Sequence, residues 1–132
     1  MKKMISAFVL TIMIATMLLV GCGKQASPIV LPAVNEIESV EITMFDGSNV
    51  SYSDKEWVEQ FIEVFTQAEA TTKESVQDIP NVETYGKVDI SNNGGVTTIF
   101  YYIEDGKYLI EQPYQGIYET EVDIEALVEG VE

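Results

Sequence analysis

The chain has 132 residues, 22 of them acidic against seven lysines, with neither arginine nor histidine and a net charge of −15. That length suits one domain rather than two, and the charge excludes a phosphate-neutralising surface and with it nucleic acid as a partner. The missing imidazole excludes serine–histidine and cysteine–histidine catalysis and the common zinc sites, and a single cysteine excludes an internal disulfide.

The N-terminus reads as an address. Lys2 and Lys3 precede an uncharged apolar run from Ile5 to Val20, which ends in Gly21-Cys22. This is the layout of a secretory signal. At about 17 residues, counted from Ile5 to Gly21, the run lies near the lower limit for a membrane span, so length alone does not separate a signal from an anchor helix. The sequence Leu19-Val20-Gly21-Cys22 resembles the lipobox of bacterial lipoproteins. That resemblance implies cleavage before Cys22, a diacylglycerol on its thiol and often an acyl chain, such as palmitate, on the new amino terminus. The competing reading is an uncleaved helix followed by an incidental thiol. Removing residues 1–21 leaves 111 residues with 22 acids and five lysines, a net of −17. Such a domain is repelled by anionic lipid, whereas two or more acyl chains hold it stably.

Residues 22–34 contain Pro28 and Pro32 and show no sustained periodicity. They read as a lipidated tether that, extended, holds the domain some 30–40 Å off the bilayer. The short apolar Ile29-Val30-Leu31 leaves open the alternative that this segment packs on the domain.

Residues 35–132 read as one α+β domain. Between Glu38 and Met44, apolar Val40, Ile42 and Met44 alternate with Ser39, Glu41 and Thr43, the pattern of a half-buried strand. Asp46-Gly47 then supplies a hairpin turn before Val50 and Tyr52. Ser53 and Glu56 have the spacing of a capping box, with Tyr52 and Trp57 as a hydrophobic staple. Trp57, Val58, Phe61, Ile62, Phe65 and Ala68 recur at helical steps, predicting an amphipathic helix of about 15 residues. Residues 70–84 are a long polar connection broken by Pro80. Three strands follow: Tyr85–Ser91, Val96–Glu104 with apolar residues on both faces, and Tyr108–Gln112. Asn92–Gly95 and Asp105-Gly106 make the turns. A short helix around Val122–Val128, capped by Thr120 or Asp123, ends the chain. The expected fold is an antiparallel sheet of about five strands with one long helix packed on it, in the order ββαβββα.

Chemistry-bearing constellations are few. Glu104 with Asp105, or Glu111 beside Gln112, could act as paired carboxylates, but each also reads as a strand end or hairpin tip in water. No EF-hand spacing occurs, so no metal is assigned, and a calcium site assembled from distant parts of the fold stays as the open alternative. The tyrosines are more specific: Tyr101, Tyr102, Tyr108, Tyr114 and Tyr118 fall close together. They either form an exposed platform or belong to the core and sheet edge. Within Glu111–Tyr118, the residues Gln112, Tyr114, Gln115 and Tyr118 are the candidate binding surface, since proline, glycine and two rings meet outside regular structure.

Several segments together resemble a family of small uncharacterised lipoproteins and extracytoplasmic domains of Gram-positive, low-GC bacteria. They are Ile42–Gly47, Ser53–Trp57, Ile79–Val82, Ile99–Tyr102 and Ile110–Tyr118. The resemblance implies a single domain with that location and no catalytic residue. The expectation is therefore a lipoprotein on the outer face of the cell membrane, held by Cys22, with no cofactor. It would be a non-enzymatic module that binds an envelope protein or cell-wall ligand. The alternatives are a carboxylate-based envelope hydrolase and a passive accessory or inhibitory subunit.

Overall fold

In the computed structural model the described residues are 25–130. They form seven strands and two α-helices. The strands are β1 (Ile37–Thr43), β2 (Asn49–Tyr52), β3 (Glu69–Ala70), β4 (Gly86–Asn92), β5 (Gly95–Glu104), β6 (Lys107–Gln112) and β7 (Gly116–Thr120). The helices are α1 (Lys55–Thr66) and α2 (Ile124–Glu129). One antiparallel sheet runs β2-β1-β4-β5-β6-β7-β3, which puts β5 at its centre, where a strand apolar on both faces belongs.

The α+β class and the two helices match the sequence pattern, but the strand count rises from about five to seven. β3 is two residues long, too short to leave a pattern. β7 follows Pro113 and begins at Gly116, residues that read as loop, yet Ile110 pairs with Tyr118 and Glu111 with Ile117. The turns follow the expected chemistry. Gly47 has φ +86°, and at Asp105-Gly106 both residues have positive φ, as a two-residue hairpin turn matching the sheet twist requires.

Helix α1 is capped by Asp54, not Ser53: the Asp54 carboxylate accepts the Trp57 amide at 3.0 Å. A carboxylate is the stronger acceptor for a helix-terminal amide, so the cap falls one residue later than the serine spacing suggests. The helix spans 12 residues and buries Trp57, Val58, Phe61, Ile62 and Phe65. Tyr52 still stacks on Trp57, with ring centroids 3.9 Å apart. Helix α2 is capped by Asp123, which accepts the Ala126 amide.

Alternation along the strands divides the sheet into two faces. Val40, Ile42, Val88, Ile90, Ile99, Tyr101, Ile110 and Tyr118 form the core with α1 and α2. Tyrosine hydroxyls tie α2 to this face: Tyr101 donates to Glu125, Tyr108 to Asp123 and Tyr52 to the Val128 carbonyl. The opposite face carries Tyr102, Leu109 and Ile117, which pack with Val82 and Tyr85 of the connection between β3 and β4. That long connection is therefore a lid over the second face of the sheet.

The segment 26–34, expected as part of a tether, lies on the helix-covered face, as the packing alternative for Ile29–Leu31 has it. Ala26, Ile29, Leu31 and Val34 are partly buried against the core. The Ala26 amide donates to the Thr71 carbonyl at 3.0 Å, which extends the sheet edge beyond β3.

Candidate binding surface

The turn between β6 and β7 is built around Tyr114. The Gln115 amide donates to the Gln112 carbonyl, Pro113 holds the second position, and Tyr114 in the third has φ +61°. A turn of this form favours glycine in the third place, because a side chain there crowds the backbone. The chain instead has a tyrosine that is 66% exposed, so burial does not compensate the strain. The Tyr114 hydroxyl donates to Asp78 at 2.8 Å, linking the turn to the lid.

The other three candidate residues serve a different purpose. Gln112 is 8% exposed and clasps the N-terminal segment: its side-chain oxygen accepts the Val30 amide at 2.8 Å, and its nitrogen donates to the Val30 carbonyl at 2.7 Å. Gln115 donates to the Pro28 carbonyl at 3.0 Å. Tyr118 is buried, not part of a platform, and its hydroxyl donates to the Ser27 carbonyl. Gly116 completes the seat, since a Cβ there would lie 2.3 Å from the Ala26 Cβ. Of the four, Tyr114 alone presents its ring to water. The strand tyrosines Tyr101 and Tyr102 are core residues.

Beside Tyr114 lies a cleft of about 380 Å³ between the N-terminal segment and the lid, lined by Gln25, Ala26, Ser27, Ser75 and Val76 among others. Val76 and Ile79, on either side of Asp78, are 69% and 55% exposed. Val76 and Tyr114 line the cleft, and Ile79 follows Asp78, the partner of the Tyr114 hydroxyl, so exposed aliphatic and aromatic groups form a rim beside a small polar cleft.

Behind the cleft wall sits Glu111, which is 1% exposed on the lidded face. Ser75 donates to its Oε1 at 2.7 Å and Gln77 at 3.2 Å, while Oε2 has no partner. Burial raises the Tyr102 hydroxyl far above its ordinary value, and the neighbouring Glu111 carboxyl raises it further. Glu111 is thus a buried carboxylate, not a strand-end group in water, because the second sheet face is covered. The signal that could have placed it was the apolar run on both faces of β5, which requires cover on both sides.

The other carboxylate candidates lie in the β5–β6 hairpin: Glu104 pairs with Lys73 and Asp105 occupies the turn. Among the described residues no group of three or more metal-ligating side chains comes together. Nor, among them, is any helix long and apolar enough to cross a membrane. Cys22 and the apolar leader lie outside the described residues.

The described architecture is that of a small α+β domain whose sheet is covered by helices on one face and a lid on the other. Residues 25–119 match the family model described as "Domain of unknown function (DUF5300)", and the chain belongs to that family. The match begins with the docked N-terminal segment, so the segment is part of the family's unit. A protein from Ruminococcus gnavus, whose structure was solved by NMR, is 40% identical. It superposes with a TM-score of 0.68, over 76% of this chain and 99% of its own. No curated protein matches the chain.

Proposed function

We propose that this protein is a membrane-anchored extracytoplasmic lipoprotein that acts by non-enzymatic binding, with Cys22 as its lipid attachment site. One juxtaposition supports the reading above all: the lipobox-like Leu19–Cys22 ends only a few residues before Ala26, where the chain is already bonded to the sheet edge. An anchor on Cys22 is then nearly contiguous in sequence with the fold, whose first described residue, Gln25, lines one cleft with the exposed rim around Tyr114. A binding role suits that rim, which offers contact area and a cleft but no paired carboxylates. The buried Glu111 is bonded to the lid and serves to hold it.

Metabolic labelling with an alkynyl fatty acid, followed by mass spectrometry of the N-terminal peptide, tests the anchor. Wild type is expected to carry lipid on residue 22, and Cys22→Ala to lose the label and accumulate unprocessed or released. A bare Cys22 thiol behind an intact leader overturns the reading.

A further inference from the structure

We propose that the exposed rim formed by Val76, Ile79 and Tyr114 is a membrane-contact surface, seated in the interfacial region of the bilayer that holds the anchor. The inference rests on the lipoprotein reading for the anchor and goes beyond it in assigning an orientation and a lipid partner to a named surface.

The argument starts from where the docked chain ends. Gln25 lines the same cleft as Val76 and Tyr114. Cys22 is three residues earlier, a reach of at most about 11 Å for extended chain. A flexible tether of a dozen residues would let the domain tumble above the bilayer. Here residues 26–30 are instead fixed by the Ala26–Thr71, Ser27–Tyr118 and Val30–Gln112 bonds. A lipid on Cys22 therefore holds this end of the domain, and not the far hairpins, against the bilayer.

The residues at that end suit such a position. Val76 and Ile79 are the aliphatic pair left exposed by the lid. Tyr114 offers an apolar ring with a polar tip, the side-chain type that concentrates at membrane–water interfaces. Its strained backbone at φ +61°, in a place where glycine would be relaxed, is offset inside the domain by the hydroxyl's bond to Asp78 and not by burial of the side chain. Seating the exposed ring in the bilayer interface adds to that bond. The flanking Glu74 and Asp78 and the overall negative charge point to the zwitterionic interface and acyl boundary, not to attraction by anionic headgroups.

Photocrosslinking in the full chain, expressed in cells and processed natively, tests this. p-Benzoylphenylalanine would replace Val76, Ile79 or, as the control on the water-facing side of α1, Glu59. After illumination of isolated membranes, mass spectrometry reads lipid adducts at each position. Several-fold more phospholipid adduct at 76 and 79 than at 59 is expected. Tyr114→Gly in the position-76 background should lower that yield, with a far-ultraviolet circular dichroism spectrum matching the parent showing that the fold is retained. Equal, background-level lipid adducts at all three positions, or adducts at 76 and 79 that are predominantly protein, overturn the surface assignment even where residue 22 carries lipid. Strong lipid adducts with a bare Cys22 and an uncleaved leader overturn the lipoprotein reading and uphold the surface.

Discussion

The clasp on Val30 is the part of the structure that makes the N-terminal segment one body with the domain, and Gln112→Ala tests it. The substitution removes two hydrogen bonds, of 2.8 and 2.7 Å, from a side chain that is 8% exposed. Each bond contributes about 0.5–1.5 kcal/mol net, so docking weakens by about 2 kcal/mol, which is roughly 30-fold in the opening equilibrium. The remaining Ala26–Thr71 and Tyr118–Ser27 bonds are spared, so the loss is local and the sheet stays intact. Amide hydrogen exchange read by NMR separates the two effects. The Val30 amide should lose most of its protection, while the amides of Ile90 and Ile99, in the central strands, keep theirs. A change at Val30 of less than about threefold would mean that the clasp contributes well under 1 kcal/mol and would refute the reasoning. Equal loss at Ile90 and Ile99 would refute it too, by showing that Gln112 supports the whole fold. Gly116→Ala should undock the same segment by a different route, through the clash with Ala26.

Three further outcomes follow from the packing. Phe61 is 1% exposed between Trp57 and Phe65, so Phe61→Ala should cost about 3–5 kcal/mol in urea denaturation; less than about 1 kcal/mol would show the helix face to be wrongly placed. Ser75→Ala removes the 2.7 Å bond to buried Glu111, and a loss of about 1–3 kcal/mol is expected. A stability unchanged within experimental error would show that Ser75 does not hold the lid. At alkaline pH, burial and the bond to Asp123 push the Tyr108 hydroxyl up to about 12, and burial holds Tyr101 and Tyr102 higher still. Folded values above the ordinary 10 mean that stability is complete below pH 10 and falls as the pH rises toward 12. Absorbance at 295 nm with circular dichroism checks this, and titration of all seven tyrosines near pH 10 with the fold intact would contradict it.

Features with a strong local period were legible in the amino-acid sequence. The three- and four-residue spacing from Trp57 to Phe65 specified α1 and its buried face. The pairs Asp46-Gly47 and Asp105-Gly106 specified turns, and apolar residues on both sides of β5 placed it centrally. The remaining features lack such a signal. β3 has two residues. β7 begins after a turn whose left-handed position is filled by Tyr114, where sequence rules look for glycine. Ile29-Val30-Leu31 has no period, because its seat is formed by Gln112, Gly116 and Tyr118, far along the chain. Tyr118 offered the wrong inference for the same reason: a ring in an apparent loop reads as exposed until its strand partner Ile110 is known.

The tyrosine content has a physical account that composition alone conceals. With 22 acids, seven lysines and no arginine or histidine, the chain has few cations with which to satisfy its carboxylates. Hydroxyls take that place. Tyr101 donates to Glu125, Tyr108 to Asp123, Tyr114 to Asp78, Thr98 to Asp89 and Ser75 to Glu111. A hydrogen bond to a charged acceptor contributes more than an exposed ion pair and, for a partly buried group, is screened less by salt. The tyrosines around α2 are thus latches between a sheet and a helix that carry almost no positive charge between them. Tyr114 forms the same kind of bond, yet it is left largely exposed beside the cleft. That difference is why it, and not the cluster as a whole, marks the surface where a contact outside the chain is to be sought.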